Sequence, residues 1–171
     1  SVSPSLPAGL SLDASTGAIG GTPTAVTTSA IYTITAGNTG GSDTATVTIV
    51  VNDVAPSSLT YSPSSFTLTK GTAMTTATPT VNGGTITSWS VSPSLPAGLS
   101  LDSSTGAISG TPSIVTTSAS YTITASNTGG SDTATVTIVV NDVAPSSLAY
   151  SPSSFTLTKG TAMTTVTPTV N

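Results

Sequence analysis

The chain has 171 residues, 68 of them Ser or Thr, with six Asp, two Lys and no Glu, Arg, His or Cys, for a net charge of −4. Without His or Cys the familiar zinc, haem, iron–sulfur and Ser/His/Asp or Cys/His sites are excluded. Two lysines cannot neutralise a stripe of phosphates, and no apolar run approaches the roughly 20 residues of a membrane helix, so neither a nucleic-acid partner nor membrane insertion is expected.

Residues 1–23, SVSPSLPAGLSLDASTGAIGGTP, return at 90–112 with two changes. The match at an offset of 89 runs on to Asn82 and Asn171, with 8 differences in 82 aligned positions. Such a unit is too long for a solenoid repeat and has the size of a small domain with its own core. Three segments are expected. Residues 1–53 read as the C-terminal part of a repeat lacking its first strands, 54–142 as a complete repeat, and 143–171 as the N-terminal strands of a further one. Tail and head together would make one more unit less seven residues, GGTITSW at 83–89. The expectation is a window of a tandem array, or a subunit that closes only against its neighbours.

Within 54–142 the elements are taken in order. The turn-rich junction NDVAPSS, at 52–58 and again at 141–147, marks where units meet. SSFTLTKG (64–71) predicts a strand with Phe66, Leu68 and Lys70 on one face. TPTVNGG (78–84) predicts a strand ending in a tight Asn82-Gly83 hairpin. TITSWSV (85–91) carries the only tryptophan, Trp89. Residues 95–112 hold short strands around turns at Pro96-Ala97-Gly98 and Asp102 to Gly106. ASYTITASN (119–127) sets Tyr121, Ile123 and Ala125 against Thr122, Thr124 and Ser126. DTATVTIVV (132–140) sets Ala134, Val136, Ile138 and Val140 against three threonines. β-branched Thr suits the solvent face of a sheet. No segment has a helical period. About seven short strands around one tryptophan describe an all-β immunoglobulin-like sandwich.

The run WSVSPSLPAGLSLDSSTGAISGTP, followed by YTITASNTGGSDTATVTIVV, resembles the bacterial putative-Ig repeats, relatives of the cadherin-like domains of the dystroglycan type. The LPxGLxLDxxTGxIxGTP core is complete at 95–112, and the resemblance covers essentially the whole chain. It implies immunoglobulin-like or cadherin-like sandwiches repeated in tandem in large secreted or surface-anchored bacterial proteins, and the internal match gives the period here as 89 residues. It brings no catalytic residues, so no enzyme is expected.

Four candidate sites follow. Asp102 to Gly106 reads first as a turn in which Asp102 accepts backbone N–H groups and Gly106 takes positive φ. Its second reading is a calcium loop, although calcium wants six to eight oxygens. VVNDVAP (139–145) resembles the interdomain calcium linker of cadherins, with Asn141, Asp142 and Asp102 as weak ligands. Calcium is the one cofactor considered. Lys70, Asp142 and Asp132 make an isopeptide candidate of the kind found in some bacterial surface domains; the alternative is a strand-end lysine reaching water. Trp89 and Tyr121 are expected in the core with Gly106 as a structural turn residue, and Tyr61 at the junction. Otherwise the three aromatics form a sugar-binding platform.

The expected function is structural: a repeat segment of an extracellular bacterial fibre, filament, stalk or adhesin at the cell surface. Neighbouring copies would meet head to tail, by continuation of the array or by strand complementation. The alternative is a module binding carbohydrate or host protein, including surface glycans, or an accessory domain of a secreted enzyme.

Overall fold

The computed structural model describes residues 1–171, and every regular element in it is a strand. The first five strands are β1 (Val2–Ser3), β2 (Leu10–Leu12), β3 (Ile19–Gly21), β4 (Thr27–Asn38) and β5 (Gly41–Val51). The next eight are β6 (Ser57–Tyr61), β7 (Ser65–Thr69), β8 (Pro79–Asn82), β9 (Ser88–Ser92), β10 (Leu99–Leu101), β11 (Ile108–Gly110), β12 (Thr116–Asn127) and β13 (Gly130–Asn141). No helix is present that is long and apolar enough to cross a membrane, which says nothing of a β-barrel.

Strands β6 to β13 form two layers over one core. One layer is a four-stranded sheet in the order β7-β13-β12-β9. The other is the β6–β8 pair and the β10–β11 hairpin, joined by an antiparallel bridge between Ala77 and Ile108. Alternation decides which side chains enter, because successive residues of a strand point to opposite faces. Tyr121, Ile123 and Ala125 on β12, and Val136, Ile138 and Val140 on β13, are buried, while Thr122, Thr133 and Thr135 are exposed. Tyr61 and Ile108 close the core from the other layer, with Phe66, Leu68, Met74, Trp89, Leu99 and Leu101 packed against it. Each fully buried aliphatic side chain stabilises the fold by about 1.5–3 kcal/mol.

Strands β12 and β13 pair antiparallel through a long ladder from Thr116↔Val140 to Asn127↔Gly130, with an irregularity between Thr116 and Ala119. Strand β7 pairs with β13 in parallel, from Ser65↔Thr137 to Thr69↔Asn141.

Residues 1–51 repeat the later half of this arrangement. Strands β2, β3 and β4 lie 89 residues before β10, β11 and β12. The register is the same, since Tyr32↔Val47 on β4 and β5 corresponds to Tyr121↔Val136. Strands β1, β4 and β5 form a three-stranded sheet, and β2 pairs with β3.

Several expectations differ from the structure. The tight hairpin at Asn82-Gly83 does not form, because β8 pairs with β6 and β9 pairs with β12. Residues 83–87 therefore connect strands of different layers instead of turning one strand back on itself. Tyr61 is not at the junction: it is 6% exposed in the core, because β6 runs across the inner face. Lys70 does not lean inward. Strand β7 ends at Thr69, a Thr72 N–H to Thr69 C=O turn follows, and Lys70 is exposed. Trp89 is half-buried instead of fully enclosed. Residues 143–171 hold no strand; their backbone bonds are the bridge Ala149↔Thr169, the reciprocal pair of Ser146 and Asn171, and a Thr161 N–H to Thr158 C=O turn.

Candidate functional site

The two copies of the LDxSTG turn show what their aspartates do. Asp102 Oδ1 accepts the backbone N–H groups of Ser104 and Thr105 at 2.8 and 2.9 Å and the Ser104 hydroxyl at 2.6 Å. Asp13 does the same with Ser15 and Thr16. The Ser104 hydroxyl and then these N–H groups favour the charged carboxylate and hold Asp102 down at about 2. Asp13 is lowered likewise, first by the Ser15 hydroxyl. The Asp102 carboxylate is thus engaged within its own turn.

The turn also positions Gly106. Its φ is 72°, a conformation that favours glycine, and its carbonyl accepts the Tyr61 hydroxyl at 2.5 Å. A Cβ on Gly106 would lie 2.5–2.7 Å from three ring carbons of Trp89. Tyr61, Gly106 and Trp89 therefore form one interlocked group. Burial pushes the Tyr61 phenol up to about 12. Tyr61 and Tyr121 are each 6% exposed, so the three aromatics present no flat platform for a sugar.

The junction is built around Asp53. Its N–H donates to the Thr128 hydroxyl at 2.9 Å, and its carboxylate accepts the N–H of Val54 at 2.8 Å and of Thr85 at 3.0 Å. Beside it, Asn127 Nδ2 donates to the Val54 carbonyl at 2.7 Å, and the Gly84 N–H donates to the same carbonyl at 3.0 Å. A Cβ on Gly84 or Gly129 would collide with Asp53. The residues that leave β5 are thereby tied to two loops of the following unit. Sequence reading found the junction but not this aspartate.

The remaining acidic candidates, Asp132 and Asp142, each accept backbone N–H groups. Asp132 Oδ2 accepts the Leu59 N–H at 2.8 Å and Oδ1 the Thr133 N–H at 2.8 Å, and these two bonds, Leu59 first, lower its pKa. Asp142 Oδ1 accepts the Val143 N–H at 3.0 Å. The Lys70 backbone N–H donates to the Asn141 carbonyl at 2.9 Å, which brings Lys70 beside the end of β13. No three acidic side chains come together as metal ligands.

Residues 1–51 and 143–171 expose side chains whose counterparts in 54–141 are covered. Ile123, Val136 and Ile138 are fully buried, but Ile34, Val47 and Ile49 are only half-buried. In the tail, Leu148, Tyr150, Phe155, Leu157 and Met163 are exposed, from 41% for Phe155 to 67% for Leu148. Their counterparts Leu59, Tyr61, Phe66, Leu68 and Met74 lie in or against the core.

A family model described as a putative Ig domain matches residues 1–52 and 55–141. The chain is 36% identical over 157 residues to a serine-rich adhesin for platelets from Staphylococcus aureus, covering 86% of this chain and 6% of that protein. The chain thus spans a small part of that relative's length. Among solved structures, a putative α-galactosidase from Bacteroides fragilis shares 27% identity at a TM-score of 0.43, over 56% of this chain and 19% of that one. Extracellular domains 3–5 of Drosophila OTK share 20% identity at a TM-score of 0.44, over 80% of this chain and 47% of that one.

Proposed function

The chain belongs to the putative Ig domain family, and from that premise we propose that it is a structural segment of an extracellular bacterial fibre, filament, stalk or adhesin, without catalytic activity. The observation that carries this reading is the joint at Asp53, which bonds the end of β5 to the loops around Thr85 and Thr128. A joint held by hydrogen bonds transmits orientation from one unit to the next, whereas a free Gly/Ser linker would not. Neighbouring copies meet head to tail, by continuation of the array or by strand complementation. The exposed apolar residues of 143–171 have counterparts that lie in or against the core of 54–142. Electron microscopy of the native full-length protein tests this: a long rod or filament is expected, and compact monomers would overturn it.

The similarity to an adhesin favours a second reading, a surface module that binds host protein or glycan through loops such as 95–107. A glycan array and a host-protein binding screen without hits would remove it.

A further inference from the structure

The stretch Asn82-Gly83-Gly84 lies against the Asp53 joint and carries two free groups that can react with each other. Asn82 is exposed at the end of β8, where it pairs with Ser57, and its carboxamide makes no hydrogen bond. Gly83 is exposed too, and its N–H donates to no acceptor. Glycine has no Cβ to keep its backbone nitrogen away from the preceding side chain. Other asparagines are placed differently. Asn38 and Asn127 precede threonine, and Asn52 and Asn141 precede aspartate. The Asn127 carboxamide is also held at both atoms, Nδ2 by the Val54 carbonyl and Oδ1 by the Gly129 N–H.

We propose that Asn82 is a self-modifying site whose deamidation releases the joint. The Gly83 backbone nitrogen attacks Asn82 Cγ, the Cγ–Nδ2 bond breaks, and Nδ2 leaves as ammonia carrying the Gly83 proton. Water then opens the cyclic imide. Cleavage at Cγ gives aspartate; cleavage at the backbone carbonyl carbon gives isoaspartate, in which the main chain runs through Cβ and Cγ. Both products put a new carboxylate two residues from Gly84, which packs on the Asp53 carboxylate, and like charges repel. Isoaspartate also lengthens a main chain that has no room. A Cβ on Gly83 would collide with the Ala55 carbonyl, and one on Gly84 with Asp53. The bonds at risk are Gly84 N–H to the Val54 carbonyl and Thr85 N–H to Asp53, both 3.0 Å. The buried side chains of β12 and β13 lie outside this loop and keep their packing.

The test holds the freshly folded 171-residue chain in warm, mildly alkaline buffer and follows it by intact mass and peptide mapping. A mass gain of one acid-for-amide exchange is expected at Asn82, with both aspartate and isoaspartate in the mapped peptide. The modified chain should show amide shifts at Val54, Gly84 and Thr85. It should also lose the single alignment tensor shared by residues 1–51 and 90–140, with an unchanged Trp89 emission midpoint. An Asn82→Gln chain must close a larger ring and should keep both its mass and its single tensor through the same treatment. Unchanged mass, a gain that falls first on another asparagine, or a gain at Asn82 only after unfolding in urea would overturn the site. A gain at Asn82 with the single tensor retained would overturn the release of the joint.

Discussion

The ring of Trp89 lies so close to Gly106 that a Cβ on the glycine would come within 2.5 Å of it, while the equivalent Cβ on Gly17 would touch nothing. Trp89 is the only tryptophan, so its fluorescence reports the complete unit alone. Both glycines have positive φ, 72° and 76°, and an alanine at either carries a similar backbone cost of about 1–2 kcal/mol. Gly106→Ala adds overpacking of about 1–3 kcal/mol. Urea unfolding followed by tryptophan emission should show a clearly lowered midpoint for Gly106→Ala and an unchanged one for Gly17→Ala. Equal midpoints would contradict the packing of indole on glycine.

Asp53 makes a second testable joint. Asp53→Ala keeps the backbone bond to the Thr128 hydroxyl but removes the acceptor for Thr85 and Val54. Lost bonds of this kind cost about 0.5–1.5 kcal/mol each net. The effect should fall on the relative motion of the two segments and not on the core. Residual dipolar couplings should give one alignment tensor for residues 1–51 and 90–140 in the parent chain. In the variant two tensors are expected, with an unchanged tryptophan-monitored midpoint.

The acid and alkaline limbs of stability have separate sources. The folded pKa values of Asp102 and Asp132 are depressed, so their contribution is present above the ordinary carboxylate range near 3.9 and is lost as pH falls toward 2. Tyr61 is the opposite case: its contribution is present below 10 and is lost as pH rises toward about 12. Denaturation midpoints should be level between about pH 5 and 9 and fall on both sides. Asp102→Asn keeps an oxygen for the Ser104 and Thr105 N–H groups while removing the titration, so it should flatten the acid limb. An acid limb unchanged by that substitution would assign the effect elsewhere.

Addition of calcium or EDTA should leave the melting temperature unchanged, because Asp102 and Asp142 bond to nearby N–H groups and no three acidic side chains converge. An EDTA-dependent melting shift would restore Asn141, Asp142 and Asp102 as ligands. Intact mass answers the cross-link question separately. A mass equal to that of the sequence is expected, and loss of one ammonia or water per bond would join Lys70 to Asn141 or Asp142.

What could be read in advance was local. Alternation named the inward residues of β12 and β13, and the turn residues around Gly98 and Gly106 marked the β10–β11 hairpin. The pairings that gave each unit its closed form were not local. Asn82-Gly83 has hairpin chemistry, but the β6–β8 pair captures the preceding strand, and Ser57↔Asn82 lies on the far side of a long excursion. Tyr61 resembled a junction residue because its bond to Gly106 crosses 45 positions. Asp53 had no signal beyond its place in a turn-rich stretch, since its partners lie 32 and 75 residues away.

The parallel ladder from Ser65↔Thr137 to Thr69↔Asn141 gives each unit a mechanical property. Strand β7 lies near the entry of the complete unit and β13 at its exit. Tension along the chain pulls the start of β7 and the end of β13 toward opposite ends of their ladder. The hydrogen bonds between them are then loaded sideways and together, instead of opening one after another as in a pulled hairpin. An array of such units would resist extension through the strands at the two ends of each unit.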